Sequence, residues 1–495
     1  MLLLGIDLGT TGTKAVLVDD RGAAIASATR EHPLSTPRPG WSEQDPESWW
    51  RSACEAVRAV TEMVPNGPKR VHGIGLSGQM HGLVMLDGDG AVLRPCILWN
   101  DQRSAPQCAR VERELGLATL IELTGNRMLP GFTAPKILWC REHEPELERR
   151  ARLHLLPKDW LRHRMSGVAA TEVSDASGTA LFDCGGRRWS ETMLKALAID
   201  PSTMPTCAES SVVTSRLSAS AATALGLAAG IPIVGGAGDQ AASAIGAGIV
   251  REGPVSVTIG TSGVAFATCD RWRPSPTGAV HAFCHAVTGR WHVMGVMLGC
   301  GGSLRWYRDT FGYPRDDHGY ERIVEEATAS EPGARGATFL PYLVGERCPH
   351  PDPDVRGAFL GLDATHTRQD LSRAVLEGIT FGLCDNLDLV RDLGVSVSEV
   401  RLAGGGARSG FWRQLCADAF EAPVAVSRGN EGGALGVALL AGVGIGMFPS
   451  IEQAASLAES VVERIAPRTI ESLRRARRRH RAAYPLIRPF ASAGG

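Results

Sequence analysis

Residues 2–8 are apolar except at Gly5 and Asp7, the pattern of a strand buried on both faces. Gly9-Thr10-Thr11-Gly12 interrupts it with turn residues, and residues 14–19 resume as a second strand. Asp20-Arg21-Gly22 then turns the chain into a third, residues 24–29. Three short strands on short turns predict an antiparallel meander, not the start of a strand–helix–strand unit. Asp45 before Pro46 marks a helix start, with Trp49, Trp50, Ala53, Val57 and Val60 on or near one side. Residues 71–76 predict a strand that ends at Ser77-Gly78-Gln79-Met80-His81, and residues 82–86 predict another. A mixed sheet with helices on its faces follows, hence an α/β fold.

Further along, residues 131–144, 159–165 and 193–197 predict helices, and residues 231–234 a strand that breaks into Gly235-Gly236-Ala237-Gly238-Asp239. The Ala-rich run 240–248 suits a closely packed helix. Residues 255–259, the turn Gly260-Thr261-Ser262-Gly263 and residues 264–268 then repeat the opening sequence of strand, hydroxyl turn and strand. The two hydroxyl turns are offset by 251 residues, about half the chain, which predicts two related domains meeting between residues 238 and 254. Asp7 aligns with Thr258, so the carboxylate is not duplicated and the halves divide the work. Beyond this lie a helix over 371–391 capped by Asp370, a strand 400–403 entering Gly404-Gly405-Gly406-Ala407, and a helix of about ten residues from Phe411. A strand 424–427 and a small-residue helix from Gly432 come next. The tail 451–487 predicts helix broken at Pro467.

Length and charge narrow the function. A chain of 495 residues buries more than one core, and a net charge of -1 argues against a dedicated nucleic-acid binder. The six arginines between Arg474 and Arg481 therefore read as a solvated helix face or an intersubunit contact. The 12 cysteines are scattered without C-x-x-C spacing, so neither a disulfide framework nor a thiolate zinc site is indicated; His281, Cys284 and His285 read as core or cleft-lining. No basic leader opens the chain and no apolar run reaches membrane-spanning length, so a cytoplasmic protein with no membrane partner is expected. Glycine is frequent, at 58 residues, and only five of the 52 basic residues are lysine.

The densest chemistry is Asp7-Leu8-Gly9-Thr10-Thr11-Gly12-Thr13-Lys14. Glycines let backbone turn closely around a ligand, N–H groups and hydroxyls face phosphate oxygens, and a strand-end carboxylate can hold a divalent cation. The Walker A pattern is absent, which removes one large class of nucleotide enzymes. Asp239 stands where a strand meets a helix, either capping that helix or acting as general base toward an alcohol. Gln79, Met80 and His81 follow a strand end, and Trp99-Asn100-Asp101-Gln102-Arg103 adds donors, acceptors and an apolar face suited to a polyol or sugar. The glycines of Gly404-Gly405-Gly406-Ala407-Arg408-Ser409 can lie against a base and ribose where side chains would intrude.

These segments resemble the FGGY carbohydrate kinases over nearly the whole chain. The match includes Gly5-Ile6-Asp7-Leu8-Gly9-Thr10-Thr11-Gly12, Trp41-Ser42-Glu43-Gln44-Asp45-Pro46, Gly78-Gln79-Met80-His81-Gly82 and Leu98-Trp99-Asn100-Asp101. It continues through Met128-Leu129-Pro130-Gly131-Phe132-Thr133-Ala134-Pro135-Lys136, Leu156-Pro157-Lys158-Asp159 and Gly404-Gly405-Gly406-Ala407-Arg408-Ser409. The resemblance implies two ribonuclease H-like (actin-like ATPase) domains around a cleft. Residues 1–244 would be mainly sugar-binding and residues 245–495 mainly ATP-binding.

It also implies ATP- and Mg²⁺-dependent phosphorylation of D-xylulose at the C5 hydroxyl, with Asp239 as base and Asp7 as the Mg²⁺ acid. Sugar contacts would come from Gln79, Met80, His81, Trp99, Asn100, Asp101, Arg103, Asp239 and Gln240. Nucleotide contacts would come from Gly9, Thr10, Thr11, Gly12, Thr13, Lys14, Gly260, Thr261, Ser262, Gly404, Gly405, Gly406 and Ala407. The family often forms homodimers. Gln240 stands where many relatives carry Asn, so ribulose, glycerol or gluconate kinases are the competing readings within the family. A noncatalytic sugar sensor and an actin- or Hsp70-like ATPase are the competing readings outside it.

Overall fold

The computed structural model describes residues 1–427, 431–458 and 461–492. Two large mixed sheets organise it. The first runs, in spatial order, Val213–Arg216, Pro232–Val234, Val71–Gly78, Leu2–Leu8, Gly12–Val18 and Ala24–Glu31, with the short strand Ala237–Gly238 also paired to Val71–Gly78. The second runs Val461–Ile465, Val424–Ser427, Val397–Gly404, Gly253–Ile259, Gly263–Cys269, Trp291–Met297 and His281–Cys284. Over six strands the orders agree, and so do the directions; the second sheet adds His281–Cys284 beyond them. In each sheet an antiparallel meander is followed by two parallel strands and an antiparallel edge. Asp7 pairs with Ser77 where Thr258 pairs with Ala403, so the two positions are structural equivalents. The duplication expected from the two hydroxyl turns is therefore present in the topology.

Local sequence explains the elements that carry the site. Leu2, Leu3, Leu4, Ile6 and Leu8 are all buried because their strand is central and covered on both faces. Asp45 caps the helix Pro46–Glu62 by accepting from the Glu47 N–H, and Trp49, Ala53, Val57 and Val60 face the first core. Two helices follow equivalent strands of the two halves, Asp239–Gly246 and Gly432–Gly444. The second of them packs on the first sheet and on its counterpart at backbone distance. A Cβ on Gly5 would lie 1.8 Å from the Ala434 carbonyl oxygen, one on Gly75 1.9 Å from that of Val437, and one on Gly436 1.9 Å from that of Ala242. Glycine at these positions is a packing requirement, which accounts for part of its abundance.

The structure corrects two expectations. Residues 461–465 form an edge strand, not helix: Val461, Val462 and Ile465 are β-branched and pair with Val424–Ser427. The flanking helices are Ile451–Ala458 and Glu471–Ser492, and residues 459–460 lie outside the described residues. Helix Arg368–Asp392 is capped by Thr367, and Asp370 is its third residue, closing a capping box with the Thr367 N–H. Five of the six arginines between Arg474 and Arg481 are exposed, as expected of a solvated face, and four of the six also pair with carboxylates within the chain: Arg477 and Arg481 with Asp388, Arg474 with Glu421, Arg478 with Glu471.

Candidate active site

Asp239 is the first residue of its helix, and Gly238 occupies the cap position, so the carboxylate is not spent on capping. Burial together with the nearby Asp7 carboxylate pushes its pKa up to about 7, against a smaller opposing effect of hydrogen bonding from Gln240. A carboxyl poised there can hold or release a proton near neutral pH. Asp7, at the end of the central strand, also has a raised pKa, chiefly through burial, partly offset by the adjoining Ser77 hydroxyl and then by the Lys14 ammonium. Its Oδ1 is buried without a hydrogen-bond partner among the described residues. Gly433 lies against it: a Cβ there would come 3.1 Å from Asp7 Cγ and 2.8 Å from Ser77 Oγ. An orphaned carboxylate oxygen fits a hard cation that keeps most of its other ligands as water and phosphate.

The hydroxyl turn Gly9–Gly12 closes through the Gly9 N–H on the Gly12 carbonyl at 3.0 Å. Thr10 is fixed from three sides: the Trp99 indole N–H donates to its hydroxyl at 3.0 Å, the hydroxyl donates to Gln79 Oε1, and Gln44 donates to its carbonyl at 2.7 Å. Gln44 also accepts from Gln79 and from the Trp49 indole, which makes it the hub of this network. Gln44 stands in a family-like segment with no role expected of it from sequence; its place just before the capped helix was the available signal. Thr11 is exposed at the turn tip. Thr13 does not face the turn's ligand side. Strand alternation points it into the core, where its hydroxyl meets Ser52 at 2.7 Å. Lys14 points the other way and pairs with Glu431 at 2.7 Å.

Met80 lies directly beside Gly238, since a Cβ on Gly238 would fall 2.9 Å from Met80 Cγ. This brings the Gln79-Met80-His81 turn against the Asp239 helix start. His81 has a positive φ of 73° and meets the Gly178 carbonyl through Nδ1 at 2.7 Å. Because a carbonyl only accepts, Nδ1 carries the proton. Burial drives the imidazole pKa down to about 3, so the ring is neutral and Nε2 is left as an acceptor. Phe132 and Phe283 pack against it, and His281, like Phe283 from the second sheet, stacks on Phe283 and borders Phe132.

Trp99 and Asn100 are exposed beside the hydroxyl turn. Asp101 and Arg103 are not available to a sugar. Both Asp101 oxygens are taken by Arg103 and by the Ser42 N–H, and Arg103 also reaches Glu43 at 2.7 Å and stacks 3.6 Å over Trp41. They form a buried ion-pair scaffold beneath the loop.

On the other side of the cleft, Gly260, Thr261, Gly405 and Gly406 line one pocket of about 670 Å³. The two loops expected to hold nucleotide therefore meet. Ser262 is exposed at the turn, whereas Gly404 and Ala407 support the loop from behind. Gly404, at φ 86°, has the Ile259 carbonyl oxygen 2.3 Å from where a Cβ would sit, and Ala407 packs on the second core. Gly301, Arg305, Tyr320, Arg408 and Trp412 also line the pocket, none of them expected there from sequence. The Gly301 and Gly302 N–H groups bond the Gly260 and Thr261 carbonyls, and bare α-carbons permit that approach. The pocket offers a flat glycine floor, an aromatic wall and arginines, which suits a nucleotide.

A duplicated mixed sheet, a carboxylate pair on one side of the cleft and a glycine-floored pocket on the other define a two-domain phosphotransferase of the actin-like ATPase fold. The family model for the FGGY carbohydrate kinase N-terminal domain matches residues 2–246, and that for the C-terminal domain residues 255–445. The xylulose kinase of Escherichia coli is 42% identical over 89% of this chain and 89% of its own; that of Bacillus subtilis is 41% identical over 92% and 90%. A crystal structure of a "xyloylose kinase" from Brucella ovis superposes with a TM-score of 0.93 at 38% identity, covering 99% of this chain and all of that one. The chain belongs to the FGGY family of carbohydrate kinases and is an ATP-dependent sugar kinase.

Proposed function

We propose that the protein transfers the γ-phosphoryl group of ATP to the C5 hydroxyl of D-xylulose. The observation that carries the reading is Asp239, a carboxylate at a helix start facing the cleft between the Met80–His81 turn and Asp7, with its pKa raised to about 7. It takes the hydroxyl proton as the sugar oxygen attacks phosphorus. His81 accepts from a sugar hydroxyl through Nε2, Met80 supplies the apolar face, and Gln240 orients the Asp239 carboxylate while closing the sugar pocket. The Thr11 hydroxyl and the backbone N–H groups of the two hydroxyl turns, that of Thr10 included, hold phosphate oxygens, and Gly405 and Gly406 lie under the nucleoside. Asp7 would hold Mg²⁺, which neutralises phosphate charge when bound. Closure of the two halves excludes water, the competing acceptor. Xylulose is favoured over other polyols because the relatives at 41–42% identity are xylulose kinases.

Residues 1–244 are proposed as the sugar-side domain and 245–495 as the nucleotide-side domain, with helix Gly432–Gly444 reaching across to the first sheet. Among the described residues no helix is long and apolar enough to cross a membrane, and a cytoplasmic, homodimeric enzyme is the proposal for its setting. A coupled ADP assay with ATP, Mg²⁺ and D-xylulose, D-ribulose, glycerol and gluconate tests the substrate. The reading expects the highest kcat/KM with D-xylulose; a higher value for another acceptor overturns it.

A further inference from the structure

The segment Pro130 to Lys136 matches the family, yet the mechanism above uses none of it. Lys136 is fully buried and, among the described residues, makes no ion pair. A buried ammonium without a carboxylate is costly, and burial pushes its pKa down to about 7. Its Nζ donates instead to two main-chain carbonyls, His81 at 2.8 Å and Gly131 at 2.7 Å. Both bonds survive loss of one proton, because a neutral amine still has two N–H donors. Thr133, one helical turn away, adds a second donor to the His81 carbonyl at 3.1 Å.

The group held in this way is strained. His81 sits at φ 73°, where a side chain is disfavoured unless the surroundings over-determine it. The surroundings do so from both ends. Lys136 and Thr133 hold the carbonyl, and the Gly178 carbonyl holds Nδ1, with Gly178 bare because a Cβ would lie 2.4 Å from that nitrogen. The second carbonyl on Lys136 belongs to Gly131, which itself packs against the Trp99 carbonyl. One buried lysine thus ties the His81 turn to the loop carrying Trp99.

We propose that Lys136 is a positioning residue for the sugar, fixing the left-handed turn at His81 so that Nε2 faces the acceptor hydroxyl. This rests on the reading that His81 touches the sugar. It is tested by Lys136→Met, Thr133→Val, His81→Gly and the Lys136→Met/His81→Gly double variant, each assayed for the KM of xylulose and of ATP.

The proposal expects Lys136→Met to raise the xylulose KM about tenfold or more with the ATP KM within about twofold, and Thr133→Val to raise it about threefold. In the His81→Gly background, Lys136→Met should add less than about twofold, because the group it positions is gone. An unchanged xylulose KM in Lys136→Met, or KM values for sugar and ATP that rise together, overturns the proposal. So does an undiminished effect in the double variant. If Lys136→Met fails to fold, Thr133→Val decides alone: no rise in xylulose KM at constant ATP KM overturns it. A His81→Gly enzyme with unchanged xylulose KM instead removes the underlying reading of His81.

Discussion

Lys14 Nζ lies 2.7 Å from Glu431 Oε2, linking the first hydroxyl turn to the residue that precedes helix Gly432–Gly444. The ammonium expected at the phosphates is thus held at the start of the helix that also presents Gly433 to Asp7. Both side chains are about a quarter exposed, 28% and 27%, so the pair adds little stability. Glu431→Gln is expected to change unfolding free energy by less than about 1 kcal/mol in a denaturant titration. Lys14→Met, by contrast, should raise the KM for Mg-ATP several-fold while leaving that for the sugar in place; equal effects on both would show that the lysine only braces the cleft.

The raised pKa of Asp239 sets a pH signature. The base must be ionised, so kcat/KM for the sugar should climb with pH through a limb near 7. Asp7→Asn, although slow for want of its carboxylate, should move that limb to lower pH, because Asp7 is one cause of the shift. Stability runs the opposite way. The folded state holds the Asp239 proton more tightly than the unfolded chain, so stability falls as pH rises from about 4 to about 7. Asp239→Asn should therefore raise the unfolding midpoint more at about pH 8 than at about pH 5. Equal gains at both would contradict the shift.

Gly433→Ala probes the seat of Asp7. The added methyl would meet Ser77 Oγ at 2.8 Å and Asp7 Oδ1 at 3.2 Å, so the carboxylate or the helix must move. We expect kcat to drop by about tenfold or more and the Mg²⁺ requirement to shift to higher concentration, measured by titrating Mg²⁺ at fixed ATP. Retention of wild-type kcat and Mg²⁺ dependence would show that Asp7 does not organise the cation.

Arg103→Met separates scaffold from contact. It leaves Asp101 without its buried partner, while Glu43 keeps Arg94, and should cost about 3–5 kcal/mol in a denaturant titration. A change confined to sugar KM with unchanged stability would return Arg103 to the binding surface.

The duplicated architecture is legible in the sequence because strand, hydroxyl turn and strand recur at a fixed offset, and turn chemistry is local. Asp239 and the two glycine loops are legible for the same reason: each sits where an apolar run stops at small residues. What escapes is what depends on partners far along the chain. Asp101 and Arg103 have the composition of a sugar site, but they pair with each other, and Trp41, Ser42 and Glu43, some 60 residues earlier, take what remains: Ser42 the Asp101 carboxylate, Glu43 and Trp41 the Arg103 guanidinium. Thr13 reads as one more hydroxyl of the turn until strand alternation turns it toward Ser52. Gly433 and Lys136 act across the fold, on Asp7 and His81, and nothing in their neighbourhoods along the chain announces those targets. The edge strand Val461–Ile465 needed its partner strand to prevail over a surrounding helical pattern.

The central claim is that Asp239 deprotonates the acceptor hydroxyl. Its most direct test is xylulose-dependent ADP release by Asp239→Ala, measured beside ATP binding to the same preparation. The account predicts that release falls by at least about a thousandfold while ATP affinity stays within about threefold. Normal xylulose-dependent ADP production by that variant would contradict it.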